Sequence, residues 1–151
     1  MAITQAMATS FKVDLLNGIH AFGTTVTRGS TAADTFYLAL YTSSASLDAA
    51  TTAYTTSGEV ATAGGYNAGG QALAVAAGSP TYTSTTAWLD FDDEVWTSST
   101  ITARGAMIYN SDQSNKCVAV LDFGGDKTST AGDFTVIFPA ANSTSAIIRI
   151  A

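Results

Sequence analysis

The chain has 151 residues, of which 12% are charged and 46% are hydrophobic, and its formal net charge is −6. This length suits one domain, and the hydrophobic content excludes a disordered Thr/Ser-rich linker. The basic residues lie singly between Lys12 and Arg149, so no positive cluster predicts a nucleic-acid partner. No apolar stretch is long enough for a transmembrane helix, so no membrane partner is expected, and the first residues do not have the pattern of a signal peptide.

The N-terminal residues predict an arm followed by a short helix. Residues 1–9 are small and weakly apolar without an evident core, and we expect them to form an N-terminal arm. Thr9 or Ser10 can cap a helix, and Gly23 can stop it. An apolar stripe at four-residue spacing is formed by Phe11, Leu15 and Ile19. We therefore predict one short helix at about residues 10–20.

Beyond the helix, the sequence predicts β-structure throughout. In residues 36–41, FYLALY, the apolar Phe and Leu side chains alternate with Tyr and Ala, which is the period of a strand. The polar run SDQSN at 111–115 predicts a hairpin loop. Short strands, frequent turns and little charge predict an all-β fold, an antiparallel β-sandwich or jelly roll with one short N-terminal helix. We expect residues 10–151 to form a single β-sandwich domain that includes this helix.

An acidic run, DFDDE, occupies positions 90–94. Carboxylates at this spacing could bind Ca²⁺, but the run lacks the glycine of an EF-hand loop, and we prefer a solvated turn that ends the flanking strands. Arg104 follows in the next strand. We predict a structural ion pair between Arg104 and Asp90 or Asp122, with the arginine stem packed on aromatic rings. The functional alternative is a salt bridge across a subunit boundary.

The sequence offers no recognisable catalytic motif. His20 is the single histidine, which excludes a His-rich zinc site. Cys117 is the single cysteine, and it alternates with Ala119 and Leu121, which predicts a buried thiol rather than a nucleophile. The stretch FGGDKTST at 123–130 does not have the spacing of a phosphate-binding loop. We therefore expect no enzymatic activity, no cofactor and no metal.

Several segments occur in a characteristic order: TSFKVDLLNGIHAF, GGYNAGG, WLDFDDEVW, TITARGAMIYN, CVAVLDFGGDKTS and the terminal AIIRIA. In these segments the chain resembles a family of small virion structural proteins of tailed bacteriophages. The resemblance covers about Thr9 to Ala151. It implies a virion component that is made in the bacterial host cytoplasm, and because the family carries no catalytic motif it implies no functional residue.

The composition and this resemblance together suggest a capsid decoration, or cement, protein on the capsid surface. Such a protein binds between capsomers and stabilises the head. The expected partners are the major capsid protein or other virion proteins, and further copies of the chain in a dimer or trimer. Assembly contacts are expected from the arm and the helix, at Ile3, Met7, Phe11 and Leu15.

Two alternatives come from other classes of protein. A tail or fibre component could bind host surface glycans by stacking sugars on Tyr37, Tyr41, Tyr54, Tyr66, Trp88 and Trp96. Strand alternation argues against this, because it predicts that most of Trp88, Phe91 and Trp96 point into the core. A polysaccharide hydrolase could use Asp90 and Asp122 as its two carboxyls, but a short chain with few long loops has little room for the cleft.

Overall fold

The computed structural model describes residues 2–16, 18–23 and 33–151. In these ranges the elements, in chain order, are β1 (Ala6–Met7), α1 (Thr9–Leu16), β2 (Phe36–Tyr41), β3 (Gln71–Leu73), β4 (Thr81–Thr83), β5 (Thr86–Leu89), β6 (Glu94–Ser99), β7 (Thr102–Asn110), β8 (Lys116–Thr128), β9 (Gly132–Val136) and β10 (Ile148–Ile150).

The described strands form three antiparallel sheets. The largest has the order β1-β8-β7-β2-β3, the second has the order β10-β5-β4, and the third pairs β6 with β9. The prediction of an all-β antiparallel fold with one short helix is confirmed, and the arrangement is consistent with a β-sandwich. The jelly-roll topology stays a prediction.

Strand β2 lies inside the largest sheet and is buried on both faces. Phe36, Leu38 and Leu40 are 0–1% exposed, and Ala39 and Tyr41 are fully covered as well. The alternating sequence predicted the strand, since Phe and Leu side chains stabilise a pleated surface. On its second face Tyr37 is half-buried, and the Tyr41 hydroxyl donates to the Thr55 carbonyl of the 42–70 segment at 2.6 Å.

Strands β7 and β8 form the longest hairpin, and the predicted loop at 111–115 joins them. Ser114 and Asn115 adopt left-handed φ angles of 56° and 55°, which polar turn residues tolerate. Gly105 in β7 faces the carbonyl of Leu121 so closely that a Cβ atom could not be accommodated. The β7–β8 hairpin therefore lies in the middle of the largest sheet, and β2 pairs with β7 on the side away from β8.

The structure corrects the expectation of an arm at residues 1–9. Ile3 is only 6% exposed and forms a bridge with Leu47, and Ala6 and Met7 pair with Val120 and Ala119 of β8. The short segment has few apolar side chains, but the sheet edge supplies hydrogen-bond partners for its backbone. The N-terminal residues therefore belong to the folded domain.

The helix is confirmed, but its end was misplaced. Helix α1 ends at Leu16, where we expected about residue 20. The Gly18 N–H donates to the Leu15 carbonyl at 3.1 Å, and the Ile19 N–H donates to the Asp14 carbonyl at 3.0 Å. With Gly18 at a φ of 66°, this is a Schellman cap. The stop is therefore Gly18, not Gly23.

Candidate assembly surface

A groove lined by apolar surface alone lies between helix α1 and the β10-β5-β4 sheet. Its volume is about 130 Å³. The residues that line it are Phe11, Leu15, Phe22, Pro80, Ala87, Trp88, Leu89, Ile148 and Ile150. We call this feature the apolar groove. It takes residues from α1 near the start of the chain and from β10 near its end, and β10 pairs with β5 in its wall.

Along one face of the three-stranded sheet, the side chains change from buried to exposed, and the apolar groove borders this face. Leu89 pairs with Ile148, and both are nearly covered, at 4% and 5% exposure. Further along, Ala87 pairs with Ile150 on one side and with Tyr82 on the other, so these three side chains share the same face. Ile150 is 54% exposed and Tyr82 is 74% exposed. Large apolar side chains left in water next to a groove are typical of a protein-binding surface.

The same region has a free sheet edge without charge. Strand β4 is at the edge of its sheet among the described strands, and all three of its residues are exposed. The hairpin sequence at 79–89, SPTYTSTTAWL, contains no charged residue. Natural edge strands commonly carry lysine or other charges that prevent pairing with another chain. This edge has no such protection.

The four residues predicted as assembly contacts differ in their accessibility. Ile3 and Phe11 are 6% and 0% exposed within the core of the chain itself, so their side chains are not available on its surface. Met7 and Leu15 are half-buried and pack against the core. Of the four, Phe11 and Leu15 line the apolar groove, Phe11 from beneath. The sequence missed Tyr82 and Ile150 because their exposure depends on where the sheet leaves the core.

The ion pair of Arg104 is with Asp122. Arg104 Nε donates to Asp122 Oδ1 at 3.1 Å, between neighbouring strands of the hairpin. The backbone N–H of Gly124 and then the Arg104 guanidinium lower the pKa of Asp122. Both side chains are partly exposed, so the pair contributes little to stability.

Asp90 does not take part in that pair, which corrects the alternative that we predicted for it. It is fully buried directly after β5, where its Oδ1 accepts the Phe91 N–H at 3.0 Å. Burial raises the pKa of Asp90. Asp92 and Asp93 are exposed, as expected for a solvated turn, but Asp90 is not. Asp90 follows β5 of the three-stranded sheet, whereas Asp122 lies in β8 of the five-stranded sheet.

His20 is the centre of a buried polar cluster. The Asn110 side-chain amide lies 3.0 Å from His20 Nδ1, and it also donates to Asp34 Oδ2 at 2.8 Å. With Nδ1 as acceptor, the ring hydrogen is on Nε2, which faces Asp14 Oδ2 at 3.7 Å. Lys116 Nζ is 3.1 Å from the same oxygen. Burial lowers the pKa of His20, so the ring is neutral and serves to connect helix α1 to the hairpin.

A second polar cluster, which the sequence did not reveal, surrounds Glu59. Its carboxylate accepts from the hydroxyls of Tyr54 and Tyr66 at 2.6 and 2.7 Å, and from the Gly69 N–H at 2.6 Å. The Tyr66 hydroxyl in turn accepts the Leu40 N–H at 3.0 Å. The bond from Leu40 connects this cluster in the 42–70 segment to strand β2. No periodic pattern marks such a cluster, because its members come from irregular backbone.

The aromatic residues proposed for sugar stacking are mostly unavailable. Tyr41, Tyr66 and Trp96 are 0–1% exposed, and Trp88 is half-buried. Tyr37 and Tyr54 both stack on the ring of Tyr109, at centroid distances of 5.7 and 4.8 Å. The prediction that Phe91 and Trp96 point into the core agrees with the structure.

Reactive chemistry is not evident in the part of the chain that the structure describes. Cys117 is completely buried, and burial raises the pKa of its thiol to about 12, so it is not a nucleophile at neutral pH. The described residues contain no group of three or more His, Cys, Asp or Glu side chains that could hold a metal ion. Nor do they contain a helix long and apolar enough to span a membrane.

No family model, no curated protein and no solved structure matches the chain significantly.

Proposed function

We propose that the chain is a virion structural protein of a tailed bacteriophage, and that it decorates the capsid. In this role it binds the major capsid protein between capsomers through the apolar groove and stabilises the head. The observation that carries the proposal is the groove itself, an uncharged and wholly apolar surface between α1 and the β10-β5-β4 sheet, whose β4 edge carries no charge. The sequence resemblance supports a virion component, and the small size, all-β fold and low charge of the chain support the head as its setting.

The chemistry of the groove favours a polypeptide over a small ligand. Its volume of about 130 Å³ is well below the roughly 300–1,000 Å³ of small-molecule sites. A sugar would need hydrogen-bond partners, whereas the groove is lined by apolar surface only. A single large apolar side chain of a partner fits this space, and such an anchor in a desolvated pocket is typical of protein interfaces.

The exposed residues beside the groove would complete such an interface. Tyr82 and Ile150 can close over an inserted side chain, and tyrosine is enriched in protein interfaces. The β4 edge can add hydrogen bonds to an extended segment of the shell protein. The chain has a net charge of −6, but the 79–89 hairpin is uncharged, so this surface does not repel an acidic partner.

The test is binding of the purified protein to phage heads assembled without it. We expect the wild-type chain to sediment with the heads. Ile150→Asp should abolish sedimentation, because it places a charge beside an apolar anchor, whereas Ala61→Asp on the exposed part of the 42–70 segment should not. Retention of binding by Ile150→Asp would exclude the groove as the contact. Binding of the wild type to isolated tails but not to heads would contradict the capsid assignment and favour the tail or fibre alternative.

A further inference from the structure

A second and larger cleft runs along the edge of strand β9. Its volume is about 400 Å³, and β8 contributes Phe123, Lys127 and Thr128 to its wall. From β9 and the residue after it, the cleft contacts Asp133, Phe134, Thr135, Val136 and Ile137. A cleft over the face of a strand would meet only alternate residues, because side chains alternate between faces. Contact with five consecutive residues shows that this cleft follows the backbone edge.

That edge of β9 has no partner strand among the described residues. The only described neighbour of β9 is β6. In an antiparallel pair, alternate residues direct their N–H and C=O groups away from the partner. Beyond the ladder with β6, no described backbone–backbone hydrogen bond involves residues 133–137. The cleft therefore exposes backbone donors and acceptors that another strand can pair with.

Most of this edge carries no charge that would oppose such pairing. Residues 134–138, FTVIF, carry no charge, and the Ile137 side chain is 75% exposed. One carboxylate, that of Asp133, and one ammonium group, that of Lys127, line the cleft. Their charges balance, so the cleft is locally neutral although the chain is acidic overall. Two copies of this surface can approach each other without net repulsion.

We propose that the occupant of this cleft is strand β9 of a second copy of the chain. The two strands pair antiparallel about Thr135 and join the two small sheets into one four-stranded sheet with the order β6-β9-β9-β6. In this register Thr135 faces Thr135 of the second copy, and Asp133 faces Ile137, so no like charges stand opposite each other. Each added strand also covers Phe123 on the β8 wall. The contact surface is identical in the two copies, as a twofold dimer requires.

This inference rests on the proposed function, to which it adds the dimer that the sequence leads us to expect. It is tested on the purified protein alone, so that its failure leaves the location on the virion open. The measurement is molar mass by light scattering over a range of concentrations. The wild type should form a dimer. Thr135→Lys and Thr135→Glu should each raise the dimer dissociation constant by roughly tenfold or more, because each places like charges opposite each other on the twofold axis.

An equal mixture of Thr135→Lys and Thr135→Glu should restore the dimer, since lysine then faces glutamate. Only a contact in which position 135 meets itself gives this result. Ala61→Lys carries the same charge change as Thr135→Lys, away from the cleft, and should remain a dimer. A monomeric wild type, a Thr135→Lys variant that stays dimeric, or a mixture that stays monomeric would each overturn the proposal.

Discussion

Replacing Ile3 by alanine tests whether the N-terminal segment is part of the folded domain. The Ile3 side chain is 6% exposed and lies over Gly105, where a Cβ atom on the glycine would be 3.0 Å from Ile3 Cδ1. The backbone on both sides of Ile3 is held by Leu47, through the Thr4 N–H at 2.8 Å and the Ala2 carbonyl at 3.2 Å. The segment should therefore stay in place in the variant, leaving a cavity above the hairpin.

The expected loss follows from the atoms removed. Ile→Ala deletes three carbons, each contributing about 0.8 kcal/mol by transfer out of water. The cavity left behind adds to this, so we expect the free energy of unfolding to fall by about 3 kcal/mol, within the range of about 2–5 kcal/mol for such core substitutions. For a domain of this size, that corresponds to a decrease in Tm on the order of 6–12 °C.

The assay is thermal and urea unfolding followed by circular dichroism, with Thr4→Ala as the matched control. Thr4 is exposed and its contribution to the fold is a backbone bond, which alanine keeps, so the control should unfold within roughly 0.5 kcal/mol of the wild type. If Ile3→Ala were as stable as Thr4→Ala, the segment would not be docked in solution. Residues 1–9 would then form an arm, as the sequence alone predicts.

Three further predictions concern the polar clusters and one backbone position. Glu59→Ala leaves three donors without their acceptor and should lower the free energy of unfolding, measured in urea, by about 3–5 kcal/mol. Glu59→Gln keeps one acceptor oxygen and should lower it by less than half as much. Equal losses in the two variants would contradict this account. Burial lowers the pKa of His20, so the unfolded chain binds the proton first, and the free energy of unfolding should fall as the pH is lowered through 6.5. His20→Gln should lose this dependence, and a slope that persists would assign it to other groups. Gly70→Ala should prevent folding, because Gly70 has a φ of 76° and a Cβ atom there would collide with the Leu38 carbonyl. Circular dichroism measures the outcome, and a folded variant would show that this loop can move.

The sequence predicted those parts of the fold whose signal is local. The alternation at 36–41 gave strand β2, and the polar run 111–115 gave the hairpin loop, because strand period and turn chemistry depend on neighbouring residues. The start of α1 was predicted to within one residue by its capping residues at Thr9 and Ser10. Its end was not, because either Gly18 or Gly23 could stop a helix and only the packed backbone decides between them.

The remaining features depend on contacts between distant parts of the chain. Ile3 is buried by Leu47 and β8, so its own neighbours in sequence gave no indication of a core position. The sequence did not predict the burial of Asp90, because Asp90 belongs to an acidic run whose pattern is otherwise typical of a solvated turn. The apolar groove joins helix α1 to a strand near residue 150, a distance along the chain that no local pattern spans.

The most direct test of the proposed function is a cryo-electron microscopy map of the particle of the tailed bacteriophage that, under this proposal, encodes the chain. The proposal predicts density for the domain between capsomers, oriented so that Tyr82 and Ile150 face the shell. Density for the domain only on the tail, or its absence from the particle, would contradict it.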